Sequence, residues 1–145
     1  MRRHGPPPSR AISYRDRPGA YGVLLRDGEV LLAEQRGDLL LPGGGIDHGE
    51  TPLRALHREV YEETGWRIGL ARRLGAFARY GWLVEEQWHA RKVQHVFLAR
   101  PVRRLGPPLE HDHTPVWMTA SAAVDRLSVE GEARALEAAL RAGWH

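Results

Sequence analysis

The stretch Gly43-Gly44-Gly45-Ile46-Asp47-His48-Gly49-Glu50-Thr51-Pro52-Leu53-Arg54-Ala55-Leu56-His57-Arg58-Glu59-Val60-Tyr61-Glu62-Glu63-Thr64-Gly65-Trp66 decides how the rest of the chain is read. It is a glycine run, a short polar turn and one well-punctuated helix. Thr51 is a fitting N-cap, and Pro52 suits the first helical position. Leu53, Leu56 and Val60 recur at i, i+3 and i+7, which predicts one buried stripe. Gly65 stands where a left-handed residue ends a helix. Glu59, Glu62 and Glu63 are spaced i, i+3, i+4 and gather on a second side of the same helix. Arg58 is beside them and Glu50 lies just before the helix. From Gly44 to Gly65, five acids (Asp47, Glu50, Glu59, Glu62, Glu63) accompany two arginines (Arg54, Arg58). Such a face can be a solvated surface paired internally with arginine. It can equally hold a hard divalent cation such as Mg²⁺ or Mn²⁺, which takes oxygen ligands. Gly43 or Gly44 could add a backbone carbonyl.

Outward from this segment the chain alternates elements. Ala20 to Arg26 and Glu29 to Glu34 are apolar runs around the turn Asp27-Gly28, which predicts a β-hairpin. Leu39-Leu40-Leu41 predicts a third strand, halted by Pro42 and the three glycines. Those glycines are expected neither in a strand nor in a helix, but in a sharp turn or a close approach to a ligand. Ile68 to Ala78, Lys92 to Leu98 and Val116 to Met118 predict further strands. Ala120 to Leu127 and Val129 to Ala142 predict helices. The order is that of a layered α/β (α+β) domain.

A length of 145 residues allows one ordinary domain with a real core. The absence of cysteine excludes disulfide scaffolds, thiolate zinc sites and thiol catalysis. The net charge of +3 invites an anionic partner, but its placement matters. Residues 1–17 hold five arginines against Asp16, whereas residues 18–145 hold 16 basic and 17 acidic side chains. Residues 1–17 are therefore expected to be a basic, proline-rich tail outside a domain spanning 18–145. The leading segment has no apolar run of the kind a secretory signal carries, and no run is long enough for a membrane helix. A cytoplasmic protein is expected, with no membrane partner, and nucleic acid is not the expected partner.

Gly44, five residues, Glu50, seven residues, then Arg58-Glu59-Val60-Tyr61-Glu62-Glu63-Thr64-Gly65-Trp66 resembles the signature of the Nudix (MutT-like) hydrolases, G-x5-E-x7-R-E-U-x-E-E-x-G-U, with U bulky and apolar. Seven fixed residues match: Gly44, Glu50, Arg58, Glu59, Glu62, Glu63 and Gly65. At roughly 7% usage each, chance gives this on the order of 10⁻⁸ per register. The departure is Trp66, where Ile, Leu or Val is usual; it predicts altered packing with the chemistry retained. The resemblance implies a mixed sheet sandwiched between helices. It implies a Mg²⁺- or Mn²⁺-dependent pyrophosphohydrolase that cleaves a phosphoanhydride bond of a nucleoside diphosphate joined to another group, such as a nucleoside triphosphate. It further implies Glu59, Glu62 and Glu63 as metal ligands with the Gly43 carbonyl, Arg58 as the orienter of Glu59, and Glu50 as support for the loop. The base varies within the family. Glu110, in Leu109-Glu110-His111-Asp112-His113, is the expected one here, and His111 and His113 share its loop.

The rest of the substrate is less legible. Tyr80, Trp82 and Trp88 could stack on a nucleobase, a contact worth ~1–3 kcal/mol per base. Arg91 and Lys92 precede a strand and could meet extra phosphates. That basic patch and the Leu41-Pro42-Gly43-Gly44-Gly45 start are similar to the diphosphoinositol and dinucleoside polyphosphate subgroup. A binding module that has kept the fold is the other alternative, although such a module need not keep every carboxylate. Either a monomer or a homodimer is compatible with the sequence.

Overall fold

The apolar run Val23-Leu24-Leu25 is buried throughout, and its alternate residues feed opposite cores. That is the behaviour of a central strand covered on both faces. The computed structural model describes residues 1–145 apart from the side chain of Leu70. Its elements in chain order are β1 (Arg2–Arg3), β2 (Arg15–Arg26), β3 (Glu29–Gln35), β4 (Asp38–Leu40), β5 (Gly43–Gly45), α1 (Pro52–Thr64), β6 (Trp66–Leu83), β7 (Trp88–Arg104), β8 (Thr114–Thr119), α2 (Ala120–Arg126) and α3 (Glu130–Arg141). One mixed sheet runs β1-β6-β7-β2-β3-β4, with β5 added to β2 and β8 added to β3. The pairs β1/β6 and β2/β7 are parallel.

Helix α1 covers one face through Ala55, Leu56 and Val60, packed on Ala20, Leu24, Leu31 and Phe97. Helices α2 and α3 cover the other through Ala123, Ala133 and Leu136, packed on Val23, Val30, Val96 and Phe77. The expected sandwich is present. The β2–β3 hairpin turns at Asp27 (φ 52°) and Gly28 (φ 81°), the primed geometry an Asp-Gly pair favours. Trp66 meets Trp117 edge-on at 5.4 Å, with the Arg26 guanidinium 5.1 Å above its ring. The bulky slot is thus filled by an aromatic pair.

Four expectations need correction. Residues 1–17 are not a loose tail: Arg15, Asp16 and Arg17 open β2 and pair with Ala90, Arg91 and Lys92, while Arg2 and Arg3 pair with Phe77 and Ala78. His4 packs edge-on against Phe77, and Tyr14 against Tyr80. Composition could not show this, because the ordering partner is a strand some seventy residues away in the chain. The three glycines do form a strand. A Cβ on Gly43 would run into the Ala20 carbonyl, so only side-chain-free backbone approaches β2 this closely. Leu53 is 41% exposed, and Ala55 takes its place on the buried stripe. Finally, β6 and β7 run well past the expected limits, as one long hairpin.

Candidate active site

The helix that carries the carboxylates is held as its sequence requires. The Thr51 hydroxyl accepts from the Arg54 N–H at 3.1 Å, and Gly65 (φ 77°) closes the helix, its N–H donating to the Tyr61 carbonyl. A side chain at Gly65 would meet the Gly106 carbonyl, so the loop carrying Glu110 lies directly on this cap. That loop is also tied to the helix by two bonds. The N–H groups of Leu109 and Glu110 both donate to the Glu62 carbonyl, at 2.8 and 3.0 Å. They satisfy a carbonyl in the last turn of α1 that the helix itself leaves free.

These constraints bring carboxylate oxygens of Glu59, Glu62 and Glu110 within 4.8 Å of one another. Arg58 is the hub beneath them. Its guanidinium forks onto Glu50, Nε to Oε2 and Nη2 to Oε1, both at 2.8 Å. Its Nη1 donates to Glu59 at 2.9 Å and to Glu62 at 3.3 Å, and Nη2 also reaches the Gly45 carbonyl at 3.1 Å. A planar fork of donors suits this work. The Arg58 bonds, joined by the Asp47 N–H, hold the Glu50 carboxyl down at about 2. Burial raises the Glu59 carboxyl above its ordinary range, and Arg58 opposes that. Arg58 thus ties Glu50 on the loop to Glu59 on the helix.

Glu63 points inward, 6% exposed, accepting from the Gly43 N–H at 3.1 Å. The buried His113 lies between Glu63 and its own loop: Nε2 is 3.3 Å from Glu63, and Nδ1 is 3.0 Å from Asp112, its hydrogen-bond partner, and 3.2 Å from Glu110. His111 is exposed. Nothing in the local sequence distinguishes the two histidines; β8 positions His113 by pairing with β3 just after it.

Burial pushes the Glu63 carboxyl up to about 9, from an ordinary 4.5. Between those values the folded protein holds a proton that the unfolded chain has released. Its stability without metal should therefore fall as pH rises from about 4.5 to about 9, with a limit of ~1.4 kcal/mol per pH unit for one proton. Glu63→Gln should make this slope shallower, the raised Glu59 and Glu132 carboxyls keeping part of it, and should be the more stable protein at pH 9. Thermal unfolding in EDTA across that range measures it, and parallel profiles for both proteins would refute the assignment.

Of the five side chains expected near the substrate, Lys92 reaches the glycine strand, lining a cavity with Gly44 and Gly45. Strand alternation sends Tyr80, Trp82 and Arg91 to the opposite face of the sheet from Lys92. There Tyr80 packs on Tyr14, Trp82 on His89, and Arg91 pairs with Asp16. Trp88 lies under the Arg15 guanidinium, 5.3 Å from its ring centre. Arg17, at the start of β2, lines the same cavity as Lys92.

Fold and site together define a layered α/β protein with a carboxylate cluster, on a loop–helix–loop, suited to a hard divalent cation. The NUDIX domain model matches residues 15–140. The chain belongs to the Nudix family. It superposes on a NUDIX hydrolase from Nitrosomonas europaea with a TM-score of 0.72 at 19% identity, covering 90% of this chain and 93% of that one. It also superposes on a MutT NUDIX hydrolase from Burkholderia pseudomallei with a TM-score of 0.66 at 27% identity, covering 85% and 97%. Among curated relatives, it is 36% identical over 64 residues to the Bacillus subtilis (strain 168) protein named "Putative 8-oxo-dGTP diphosphatase", covering 42% of this chain and 43% of that protein. It is 52% identical over 42 residues to an RNA pyrophosphohydrolase of Aeromonas hydrophila, covering 28% and 24%. The chain thus spans less than half the length of these curated relatives. No helix among the described residues is long and apolar enough to cross a membrane.

Proposed function

We propose that this protein is a divalent-metal-dependent pyrophosphohydrolase that cleaves a phosphoanhydride bond in a nucleoside di- or triphosphate derivative. The observation that carries this reading is the convergence of Glu59, Glu62 and Glu110 over a single orienting arginine. Three carboxylates within 4.8 Å are not neutralised by Arg58, which already serves Glu50. Their hard oxygen donors fit Mg²⁺ or Mn²⁺. Such an ion, when bound, neutralises charge that develops on the phosphoryl oxygens.

The chain's own residues divide the remaining work. Glu59 and Glu62 would hold the ion from the helix, and Arg58, bonded to both, would fix their direction. Glu110, the most exposed of the three, would accept the proton of the attacking water. Glu63, behind Gly43, is the fourth carboxylate that the family signature implies as a ligand. It must lose its proton before it can serve. The names of the curated relatives support a nucleotide or RNA substrate.

The test is a hydrolysis screen of the full chain over nucleoside triphosphates, nucleoside diphosphates linked to sugars, dinucleoside polyphosphates, diphosphoinositols and 5′-triphosphate RNA. Each is assayed with Mg²⁺, Mn²⁺ or EDTA. Metal-dependent release of phosphate or pyrophosphate is expected from at least one class. Tight binding of one nucleotide with no turnover of any would instead establish a binding module.

A further inference from the structure

Glu132 is a buried carboxylate, 1% exposed, that the site described above does not use. It stands in the first turn of α3, on the face of the sheet opposite α1. Gly131 lets that turn lie low on the sheet, since a Cβ at this position would run into the Phe77 ring. Both carboxylate oxygens are taken. Oε1 accepts from the Leu41 N–H and Oε2 from the Gln94 side-chain amide, each at 2.8 Å. The Gln94 oxygen in turn accepts from Arg79 Nε at 2.8 Å. Three hydrogen bonds thus run from β6 through β7 and α3 to the segment that enters β5. Burial raises the Glu132 carboxyl, and Gln94 first, then the Leu41 N–H, oppose that. Fold stability alone does not call for this arrangement, because an apolar side chain would avoid the cost of burying a carboxylate. What the carboxylate adds is two acceptors in fixed directions.

The turn that Glu132 grips leads straight into the site. Pro42 has no N–H, and its carbonyl accepts from the Gly22 N–H at 2.9 Å. Its two neighbours each send their N–H to a buried carboxylate from a different layer. Leu41 donates to Glu132 of α3 at 2.8 Å, and Gly43 donates to Glu63 of α1 at 3.1 Å. Leu41-Pro42-Gly43 is therefore held from both faces of the sheet. The next two residues touch the carboxylate cluster. A Cβ on Gly44 would lie 2.7 Å from the Glu59 carboxyl, so the backbone itself backs that side chain. The Gly45 carbonyl accepts from Arg58 Nη2 at 3.1 Å. A shift of the turn would move the partner of Glu63, the backing of Glu59 and the tie to Arg58 together.

We infer that Glu132 is a positioning residue for the active site: from the far face of the sheet, with Gln94 and Arg79 behind it, it sets where the Leu41-Pro42-Gly43 turn lies and so where Glu63 and Glu59 stand. The inference rests on the metal-dependent reading above and deepens it, adding residues that act on the carboxylates through the backbone of β5.

The experiment exchanges two side chains. In Glu132→Gln the new amide faces the Gln94 amide, donor against donor; if Gln94 turns over, its amide faces Arg79 Nε instead. Either way one of the three bonds is lost. The double variant Glu132→Gln with Gln94→Glu restores the order. The glutamine at position 132 accepts from Leu41 and donates to the carboxylate at position 94, which accepts from Arg79. Two quantities are read on the full chain, well below the melting temperature of each variant. One is the Gly43 amide resonance of the metal-free protein. The other is Mn²⁺ affinity, from the electron paramagnetic resonance signal of free Mn²⁺. Glu132→Gln is expected to move the Gly43 resonance and to weaken Mn²⁺ binding by ~10-fold, the lower end of the loss when an outer partner of a metal site is removed. The double variant is expected to return the resonance and recover most of the affinity. A merely structural role would lower the Tm of Glu132→Gln and leave both readouts of the folded protein as in the parent, which overturns the inference. A double variant that binds Mn²⁺ no better than Glu132→Gln overturns it too. Both readouts as expected, with no substrate hydrolysed, uphold the positioning role and overturn the enzymatic reading. If the parent itself binds no Mn²⁺, the metal reading falls and the Gly43 resonance decides: unmoved in Glu132→Gln it overturns the positioning role, moved and then restored in the double variant it upholds it.

Discussion

Glu59→Gln is expected to lower kcat by ~10²–10⁴-fold while leaving the protein folded, a loss typical of removing a group that acts on charge or protons in the transition state. Glutamine keeps the length of the side chain and an oxygen to accept from Arg58 Nη1, a bond of 2.9 Å in the parent. It also keeps the close contact with Gly44. It removes the negative charge. That charge is disfavoured in the free protein, since burial raises the carboxyl. The metal-free variant should therefore melt no lower than the parent. Steady-state kinetics with a substrate from the screen, beside a thermal melt in EDTA, measures both effects. Activity within threefold of the parent would show that Glu59 is not a ligand. The same substitution at Glu62 should act alike. Comparing Glu63→Gln with Glu110→Gln ranks the fourth carboxylate implied by the family signature against the third one supplied by the loop.

Arg58→Ala is expected to cut activity by ~10–100-fold, the cost of losing an orienting partner behind a metal ligand. It should also lower Tm by roughly 5–10 °C, as loss of a charged network does in a domain of this size. The structure explains the double effect. Arg58 is the cation common to Glu50, Glu59, Glu62 and, at 3.4 Å, Asp47. Without it the acids repel one another, and the loop bearing Gly45 loses its tie to the helix. Arg58→Lys retains the charge but not the fork that grips Glu50. Its Tm should lie between the two, with activity close to that of the alanine variant. Both variants matching the parent in a melt would mean that the network contributes nothing to folding. A divalent cation should restore part of the alanine variant's Tm, because it supplies the missing positive charge.

Local interactions explain which parts of this site were legible beforehand. Thr51, Pro52 and Gly65 act within a few residues of themselves, and the helix they bound lies where their chemistry puts it. The spacing of Glu59 and Glu62 places them on one face for the same reason. Leu53 has the apolar character and the spacing of the stripe, yet it stays 41% exposed, and Ala55 is buried instead. For Glu63, helical spacing gives its nearness to Glu59, whereas the inward turn of its carboxyl comes with the approach of β5 and His113. Residue type marks Tyr80, Trp82 and Arg91 as possible substrate contacts, but register alone decides which face of the sheet each occupies.

By itself, the sequence determined the loop–helix–loop and its carboxylates, the hairpin at Asp27-Gly28 and the layered class of the fold. Each of these is written in contacts between residues close along the chain. The tertiary structure alone decided that Glu110 joins Glu59 and Glu62, that Glu63 is buried, and that Arg17 belongs beside Lys92 instead of in a free tail. Those outcomes depend on strand pairing between distant segments. A parallel register such as Arg17 with Lys92 is set by the packing of both sheet faces against α1 and α3.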